Sequence, residues 1–218
     1  MEFWLSTIMP GLLTGAVVTV SVTVASLLIA VTLGFGLAVL RQFPRVRLLN
    51  FAIDAYVEFF RNIPALSHLF ILYFGLAAVG IKITSIPAAI IGLGLIGAAV
   101  TCDIYRSGFL ALGIGQVEAA RAVGMTPVQT IRFILSPQAI RVALPPLGNY
   151  ALQLMKDTSI VSAIAAPEIM FYARSMVTSS FQTTLIYSSA AMVYLLMSLP
   201  LAYAVTRLEH RFGGKANA

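Results

Sequence analysis

Residues 115–127 read Gly-Gln-Val-Glu-Ala-Ala-Arg-Ala-Val-Gly-Met-Thr-Pro, and residues 134–141 read Ile-Leu-Ser-Pro-Gln-Ala-Ile-Arg. This stretch is charged and is punctuated by glycine and proline, whereas the sequence on both sides is very apolar. Between two membrane-spanning segments, such a stretch would form a conspicuous cytoplasmic loop that another protein can bind and move. It is therefore the most informative part of the chain for function.

The composition indicates that lipid surrounds most of the chain. Of its 218 residues, 59% are hydrophobic and only 10% are charged, whereas a soluble domain carries about 25% charged residues. We predict an all-α integral membrane protein that forms a single helical bundle. The net charge of +6 does not indicate a nucleic-acid partner, because most of the basic residues flank apolar runs, as topology signals do.

Nothing in the sequence predicts a catalytic residue, a cofactor or a metal site. The lone Cys102 excludes an intramolecular disulfide and a Cys-rich metal site. The nearest match to a phosphate-binding loop, at residues 213–216, lacks the hydroxyl residue and the preceding strand. Motifs of zinc proteases and serine hydrolases are also absent from the sequence. We expect a chain that is not itself an enzyme.

The apolar runs predict five transmembrane helices. Residues 3–40 contain no charge, which is too long a run for a signal-peptide core, so we interpret it as a retained first span. A helix needs about 20 apolar residues to cross the hydrocarbon core. The predicted spans lie within Gly11–Leu40, between Arg61 and Lys82 after an amphipathic piece at Asp54–Phe60, at Ile86–Ile104, at Val142–Met155 and within Thr184–Thr206.

The fourth span, Val142–Met155, contains two prolines and is the weakest by hydropathy, but the charge distribution supports it. Basic residues follow both the first span (Arg41, Arg45 and Arg47) and the last (Arg207, Arg211 and Lys215). Because cytoplasmic loops carry an excess of Lys and Arg, both regions should be cytoplasmic. The N-terminus is then outside and the C-terminus inside, which requires an odd number of spans.

These spans define the expected organisation of the chain. We predict an external N-terminal segment at 1–10, a transmembrane domain at 11–208 with a cytoplasmic loop at about 113–137, and a cytoplasmic tail at 209–218. A span with prolines and charges is tolerated only where it is buried in protein or faces water, so the fourth span should line a path. The long external segment at Asp157–Thr183 should hold a short helix.

Within the cytoplasmic loop, Gln116–Met125 is expected to form a short helix. Glu118 near its start suits the positive end of the helix dipole. Gly124 can end the helix, and Pro127 follows at the distance expected after a helix stop. Because so short a helix is not stable alone in water, it needs a groove in which to lie. The residues alone are equally compatible with an ordinary interfacial connector.

Several motifs follow one another in the order typical of a known family over nearly the whole chain. Glu118-Ala119-Ala120, then Gly124, Ile134 and Pro137, resembles the Glu-Ala-Ala loop of the permease subunits of ATP-binding-cassette importers. The flanking motifs are similar to the branch that carries polar amino acids: Phe60-Arg61-Asn62-Ile63-Pro64, Asp103-Ile104-Tyr105-Arg106-Ser107-Gly108, Leu144-Pro145-Pro146-Leu147-Gly148-Asn149 and Lys156-Asp157-Thr158-Ser159. The triplet alone is not specific, whereas the ordered set is.

The chain departs from this family pattern at three places. Ser136 stands before the loop proline where the family usually has Leu, and Asp103 stands where Glu is common. Asn62-Ile63 replaces a frequent Gly-Thr pair, which weakens any inference about the solute from Asn62.

The resemblance implies the type-1 permease fold and a transport role in the bacterial inner membrane. Two permease subunits, identical or similar, would pair around a central path. Each would place its loop helix, with Glu118, Ala119, Ala120 and Gly124, in a groove of a separate ATPase subunit. ATP-driven closure of the ATPase pair would then switch the path between inward-facing and outward-facing states. A soluble periplasmic or external binding protein would deliver the solute.

Polar residues in the spans are the candidates for a substrate path. Lys156, Asp157, Thr158 and Ser159 at the end of the fourth span could complement the carboxylate and ammonium of an amino acid, and Asn62 is a further candidate. A second interpretation is equally open, in which Lys156 extends to the external headgroups and Asp157 caps a following helix.

Other polar and small residues of the spans are expected to have structural roles. Asp103 and Arg106 are three apart on one helical face, which favours a structural ion pair. We expect His68 to be neutral and hydrogen-bonded to a neighbouring helix, and Gly34 and Gly36 to permit close helix packing.

Two other classes of function are alternatives to the importer permease. An ion-coupled secondary transporter or channel could use Asp103 and Lys156 as coupling groups, and a membrane assembly subunit would transport nothing. The loop helix at Gln116–Met125 argues against the carrier, because an ion-coupled carrier has no need of a helix presented to a cytoplasmic motor. Such carriers also more typically show inverted repeats or several buried charges, and this sequence shows neither.

Overall fold

The computed structural model describes residues 4–42 and 47–212. These residues form helices and no strand. A π-helical turn at Trp4–Ile8 leads into the first of eight helices. The helices are α1 (Met9–Leu40), α2 (Arg47–Asn62), α3 (Ala65–Ala78), α4 (Ser85–Leu110), α5 (Gly115–Ala122), α6 (Pro127–Ile164), α7 (Ile169–Ser180) and α8 (Thr183–Phe212).

Three helices of the described chain are each long and apolar enough to cross a membrane alone. They are α1 with its preceding turn, from Ser6, then α4 and α8. Two bent pairs, α2 with α3 and α6 with α7, bring the number of candidate spans to five if each pair counts as one. This agrees with the predicted five spans. The direction in which the chain crosses the membrane and the boundaries at 1–10, 11–208 and 209–218 stay predictions, and residues 213–218 lie outside the described part.

Prolines and left-handed residues explain where the bent pairs break. Pro64 adopts an extended conformation (ψ 136°) between α2 and α3, and the two helices meet at 104°. Helix α6 ends at Ile164 and is followed by Ala165 with φ 58°, and α7 begins after Pro167 at 49° to it. The predicted short helix between the fourth and fifth spans is therefore confirmed as α7, preceded by the 3-10 turn Thr158–Ile164.

The fourth span is longer than its sequence suggested. Helix α6 contains a π-helical segment at Thr130–Leu135, an α-helix at Ser136–Asp157 and the 3-10 turn. Both Pro145 and Pro146 lie inside the helix, and Pro145 is buried. A proline inside a helix loses one backbone hydrogen bond, which is tolerated where neighbouring helices cover the site.

Helix α4 is the centre of the bundle. It packs on α1, α2 and α6, and it is the most buried of the three long helices. Gly34 of α1 allows the closest approach, because a Cβ there would lie 2.0 Å from Thr101 Oγ1 and 2.9 Å from the Ala98 carbonyl oxygen. The prediction for Gly34 is confirmed. The prediction for Gly36 is wrong, since a Cβ there meets nothing within 4 Å.

His68 does not make the hydrogen bond expected from its sequence. It lies in the first turns of α3 and is 7% exposed. Its ring stacks on Phe60 at 4.8 Å and meets Phe59 edge-on at 5.1 Å. Within the described part of the chain, neither ring nitrogen has a hydrogen-bond partner. Because α2 and α3 bend sharply at Pro64, His68 fills the aromatic corner between them.

Candidate functional site

Backbone hydrogen bonds cap the C-terminus of the loop helix α5. The N–H of Met125 donates to the carbonyl of Ala120 at 3.0 Å, and the N–H of Gly124 donates to that of Arg121 at 3.0 Å. Gly124 has φ 77°, a conformation that glycine adopts without the steric cost of a side chain. This is the Schellman arrangement of a helix end. The predicted helix stop at Gly124 is confirmed.

A second helix start follows at once and fixes the direction of the chain. Thr126 and Gln129 form a capping box, in which Thr126 Oγ1 accepts from the N–H of Gln129 and Gln129 Oε1 accepts from the N–H of Thr126. Pro127 occupies the first turn, where it costs no hydrogen bond. Gln138 Nε2 of α6 also donates to Gln116 Oε1 at 3.3 Å. Helix α5 is therefore anchored along one side to α6.

The other side of α5 is exposed. Ala120 is only 4% exposed and faces the bundle, whereas Glu118 and Ala119 are exposed. Large apolar side chains around the helix are also exposed, with Ile114 at 76% and Val123 at 77%. A short helix that is anchored on one side, exposed on the other and flanked by apolar side chains at both ends is suited to insertion into a groove of another protein.

A cavity of about 460 Å³ lies near the other end of α6, against α7 and α8. Its lining residues are Lys156, Ser159, Met170, Tyr187, Ala191 and Tyr194. In the described residues Lys156 forms no ion pair, so its ammonium group is the one full charge on the wall. The cavity can therefore accept a small solute that presents a carboxylate, with aromatic and apolar surface around the rest.

The predicted substrate residues separate in the structure. Lys156 and Ser159 share the cavity wall, whereas Asp157 accepts a 2.9 Å hydrogen bond from Gln153 Nε2 and does not line the cavity. Thr158 is fully buried and donates to the Met155 carbonyl at 2.7 Å. The alternative role of Asp157 as a helix cap is wrong, because its side chain makes no capping hydrogen bond.

Asn62 also lies away from this cavity. Its Nδ2 donates to the backbone carbonyl and to the carboxylate of Glu58 on its own helix, at 2.9 and 2.6 Å. The side chain is thus occupied by the last turn of α2, and the cavity wall does not include it.

Glu168 is a functional candidate that the sequence analysis missed. The residue is fully buried and caps α7, accepting hydrogen bonds from the N–H groups of Met170 and Phe171 at 2.9 and 2.7 Å. It also accepts a 2.7 Å hydrogen bond from the hydroxyl of Tyr194, a cavity residue. Glutamate is not a preferred N-cap residue. The only sequence signal was a lone acidic residue after Pro167.

The ion pair predicted for Asp103 and Arg106 is wrong. Asp103 instead pairs with Arg41 at 3.3 Å and with Arg61, and Arg41 also pairs with Asp54. The partners come from the end of α1 and from α2, which pack on α4. Tertiary packing thus provides two guanidinium partners, and in the described chain Arg106 is not one of them.

Comparison with known proteins places these features in a family. The family model described as "Binding-protein-dependent transport system inner membrane component" matches residues 27–214. The chain is 35% identical over 193 residues to the probable glutamine ABC transporter permease protein GlnM of Bacillus subtilis (strain 168), covering 88% of this chain and 89% of the relative. It is 34% identical over 208 residues to the octopine transport system permease protein OccM of Rhizobium radiobacter, covering 91% and 84%.

Solved structures share the fold. The crystal structure of an amino acid ABC transporter with histidines matches with a TM-score of 0.85 and 29% sequence identity, over 93% of this chain and 94% of that chain. An inward-facing structure of the MetNI methionine ABC transporter matches with a TM-score of 0.80 at 22% identity, which shows the common fold alone.

Proposed function

The chain belongs to the family of binding-protein-dependent transport system inner membrane components and is the permease subunit of an ATP-binding-cassette importer; on that premise we propose that α5 couples it to a separate ATPase. The supporting observation is the geometry of α5. The helix ends at Gly124, is tethered to α6 through Gln116, and is flanked at its two ends by the exposed apolar side chains of Ile114 and Val123. A groove in the ATPase would cover Ile114 and Val123 and hold Glu118 at its edge.

The solute in this proposal is an amino acid or a related zwitterion. Relatives are named for glutamine and octopine transport, and both solutes carry a carboxylate. Lys156 would bind that carboxylate, and Ser159 would add a hydrogen bond from the same wall. A roughly amino-acid-sized solute fits the volume of about 460 Å³.

The remaining partners follow from the same proposal. A second permease subunit, of the same or a similar chain, completes the path. An external binding protein delivers the solute at the side of α7. The chain crosses the bacterial inner membrane with its N-terminus outside and its C-terminus in the cytoplasm, consistent with the basic residues just after α1 and at the end of α8.

Uptake into proteoliposomes tests the proposal against the ion-coupled alternative. The complex that co-purifies with this chain is reconstituted with ATP inside and with radiolabelled glutamine or octopine outside, in the presence of the co-purified binding protein. We expect uptake of at least one of these two solutes that requires ATP and is abolished when ATP is replaced by ADP. Uptake driven by a pH gradient without ATP would establish the ion-coupled alternative. A chain that co-purifies with no ATPase and binds no solute would favour the assembly-subunit alternative.

A further inference from the structure

A buried carboxylate lies behind the wall of the cavity that Lys156 lines. Glu168 precedes α7 and is fully buried. Its Oε2 accepts hydrogen bonds from the N–H of Met170 at 2.9 Å and from the Tyr194 hydroxyl at 2.7 Å, and its Oε1 accepts from the N–H of Phe171 at 2.7 Å. Met170 and Tyr194 both line the cavity. One side chain therefore holds two wall residues that belong to different helices, α7 and α8.

The hydrogen bond between Tyr194 and Glu168 restricts the Tyr194 side chain. A tyrosine has a single O–H to donate, and here Glu168 accepts it. A hydrogen bond to an ionised carboxylate is shorter and stronger than one between neutral groups. Because the Tyr194 side chain is held by the helix at its Cα and by Glu168 at its hydroxyl, its ring stays in one position on the cavity wall.

The length of the Glu168 side chain fits this connection better than it fits a helix cap alone. Aspartate is among the preferred N-cap residues, whereas glutamate is not. The additional methylene group of glutamate, about 1.5 Å in length, allows the carboxylate to accept from the first turn of α7 and also to reach Tyr194 of α8. The capping role therefore does not by itself explain why the longer acid stands here.

Helix α1 closes this corner on another side. Gly15 of α1 is buried, and a Cβ there would lie 2.7 Å from the Ile169 backbone nitrogen and 2.8 Å from the Glu168 carbonyl carbon. The start of α7 thus lies directly on the backbone of α1. Ile169 and Ile186 belong to an apolar cluster on which Tyr194 packs. Since hydrogen bonds are electrostatically stronger in such surroundings than in water, the contact between Glu168 and Tyr194 should persist.

We propose that Glu168 is a positioning residue for solute recognition, which acts through its hydrogen bond to Tyr194 and fixes the α8 wall of the cavity. This inference rests on the proposed function, in which the solute binds in this cavity. Glu168 itself does not line the cavity. It sets the affinity for the solute, whereas the ATP-driven step depends on α5 and does not require it.

Substitutions at the two ends of this hydrogen bond separate positioning from capping. Glu168→Asp keeps an N-cap carboxylate but is too short to reach Tyr194, and Tyr194→Phe removes the hydroxyl and leaves the cap of α7 intact. Binding of radiolabelled glutamine and octopine is measured with the purified complex, free of the binding protein, together with basal ATP hydrolysis. We expect each variant to weaken solute binding about three- to tenfold, because a hydrogen bond that orders the wall is lost. Basal ATP hydrolysis should stay unchanged.

A double-mutant cycle tests whether Glu168 acts through Tyr194. In a chain that already carries Tyr194→Phe, we expect Glu168→Asp to cause no further loss of solute affinity, because the hydrogen bond is already absent. Tyr203→Phe is the control, since it removes a hydroxyl elsewhere on α8 and outside the cavity, and it should leave affinity unchanged. Losses that add in the double variant would overturn the inference, because Glu168 would then act independently of Tyr194.

Lys156→Gln, measured in parallel, distinguishes a failure of this inference from a failure of the proposed function. If Lys156→Gln weakens binding but Glu168→Asp or Tyr194→Phe binds as the unmodified chain does, Glu168 is a helix cap alone and the inference is overturned. If Lys156→Gln and Tyr194→Phe both leave binding unchanged, or if the unmodified complex binds neither solute, the cavity is not the solute site. Both the inference and the proposed solute site are then overturned.

Discussion

The carboxylate of Asp103 lies 3.3 Å from a guanidinium nitrogen of Arg41, so that the C-terminal parts of α4 and α1 are joined by an ion pair. The Arg41 side chain is only 13% exposed and that of Asp103 is 28% exposed. Arg61 of α2 binds the other carboxylate oxygen of Asp103. One carboxylate therefore connects three helices.

Replacing this carboxylate should destabilise the bundle. Asp103→Asn removes the charge that two arginines share and leaves the poorly exposed Arg41 with Asp54 alone. We expect a loss of about 1–3 kcal/mol in the free energy of unfolding, measured by thermal unfolding of the purified protein in detergent. Arg106→Gln is the control and should leave the unfolding midpoint unchanged. Equal losses in both variants would contradict the observed pairing.

Two glycines on α1 offer a matched test of the close contact with α4. Gly34→Ala places a methyl group against Thr101 Oγ1 and the α4 backbone, and overpacking of this kind costs about 1–3 kcal/mol. Gly36→Ala meets nothing within 4 Å and should stabilise α1 by up to about 1 kcal/mol, because alanine favours the helix. Opposite shifts of the unfolding midpoint are expected. Shifts of the same sign and size would show that the two helices do not approach closely at Gly34.

The sequence predicted those features that depend on local physics. The apolar runs located the spans, and Gly124 with Pro127 located the end of α5, because a left-handed glycine and a helix-initiating proline act within a few residues. The length of α6 was underestimated, since prolines inside a helix are tolerated only with tertiary cover that hydropathy does not record. The same limit explains the wrong prediction for Gly36. It is a small residue of the kind that permits close helix packing, but it faces away from α4.

The polar contacts were harder to predict because their partners are distant in the chain. Asp103 and Arg106 have the spacing of a helical ion pair, yet Arg41, 62 residues away, and Arg61 are the partners. Glu168 belongs to no sequence motif, and its role depends on a hydrogen bond from Tyr194 of another helix. Of the predicted substrate residues, Lys156 and Ser159 share a wall because they are three apart on one helical face, whereas Thr158 turns inward.

Lys156 should control the affinity for the solute carboxylate. In Lys156→Gln, we expect binding of radiolabelled glutamine to the purified permease complex, free of the binding protein, to weaken about tenfold or more, because a charge-assisted hydrogen bond is lost. Lys82→Gln removes another exposed lysine, which lies outside the cavity, and this variant should bind as the unmodified chain does. If both variants bind glutamine with unchanged affinity, Lys156 is not part of the solute site.

Gly124 should be needed for coupling rather than for folding. Gly124→Val forces a branched side chain into φ 77°, which costs about 1–2 kcal/mol and loosens the end of α5. The single variants Gly124→Val and Glu118→Arg should each lower the amount of solute transported per ATP hydrolysed. In both variants the unfolding midpoint should stay near that of the unmodified chain. Gly113→Ala, where a Cβ meets nothing within 4 Å and the backbone is not left-handed, is the control. Unmodified uptake and ATPase activity in both coupling variants would exclude the role given to this helix.

Photo-crosslinking from Val123 tests the coupling role of α5 most directly. Val123 is 77% exposed beside the inward-facing Ala120, so a photoreactive amino acid there does not disturb packing. In native membrane vesicles we predict an adduct with the ATPase subunit, and none from the same label at Val79, which is 72% exposed at the other end of the bundle. Vesicles in which the complex hydrolyses ATP but Val123 yields no ATPase adduct, or in which Val123 is reached only from outside, would contradict the account.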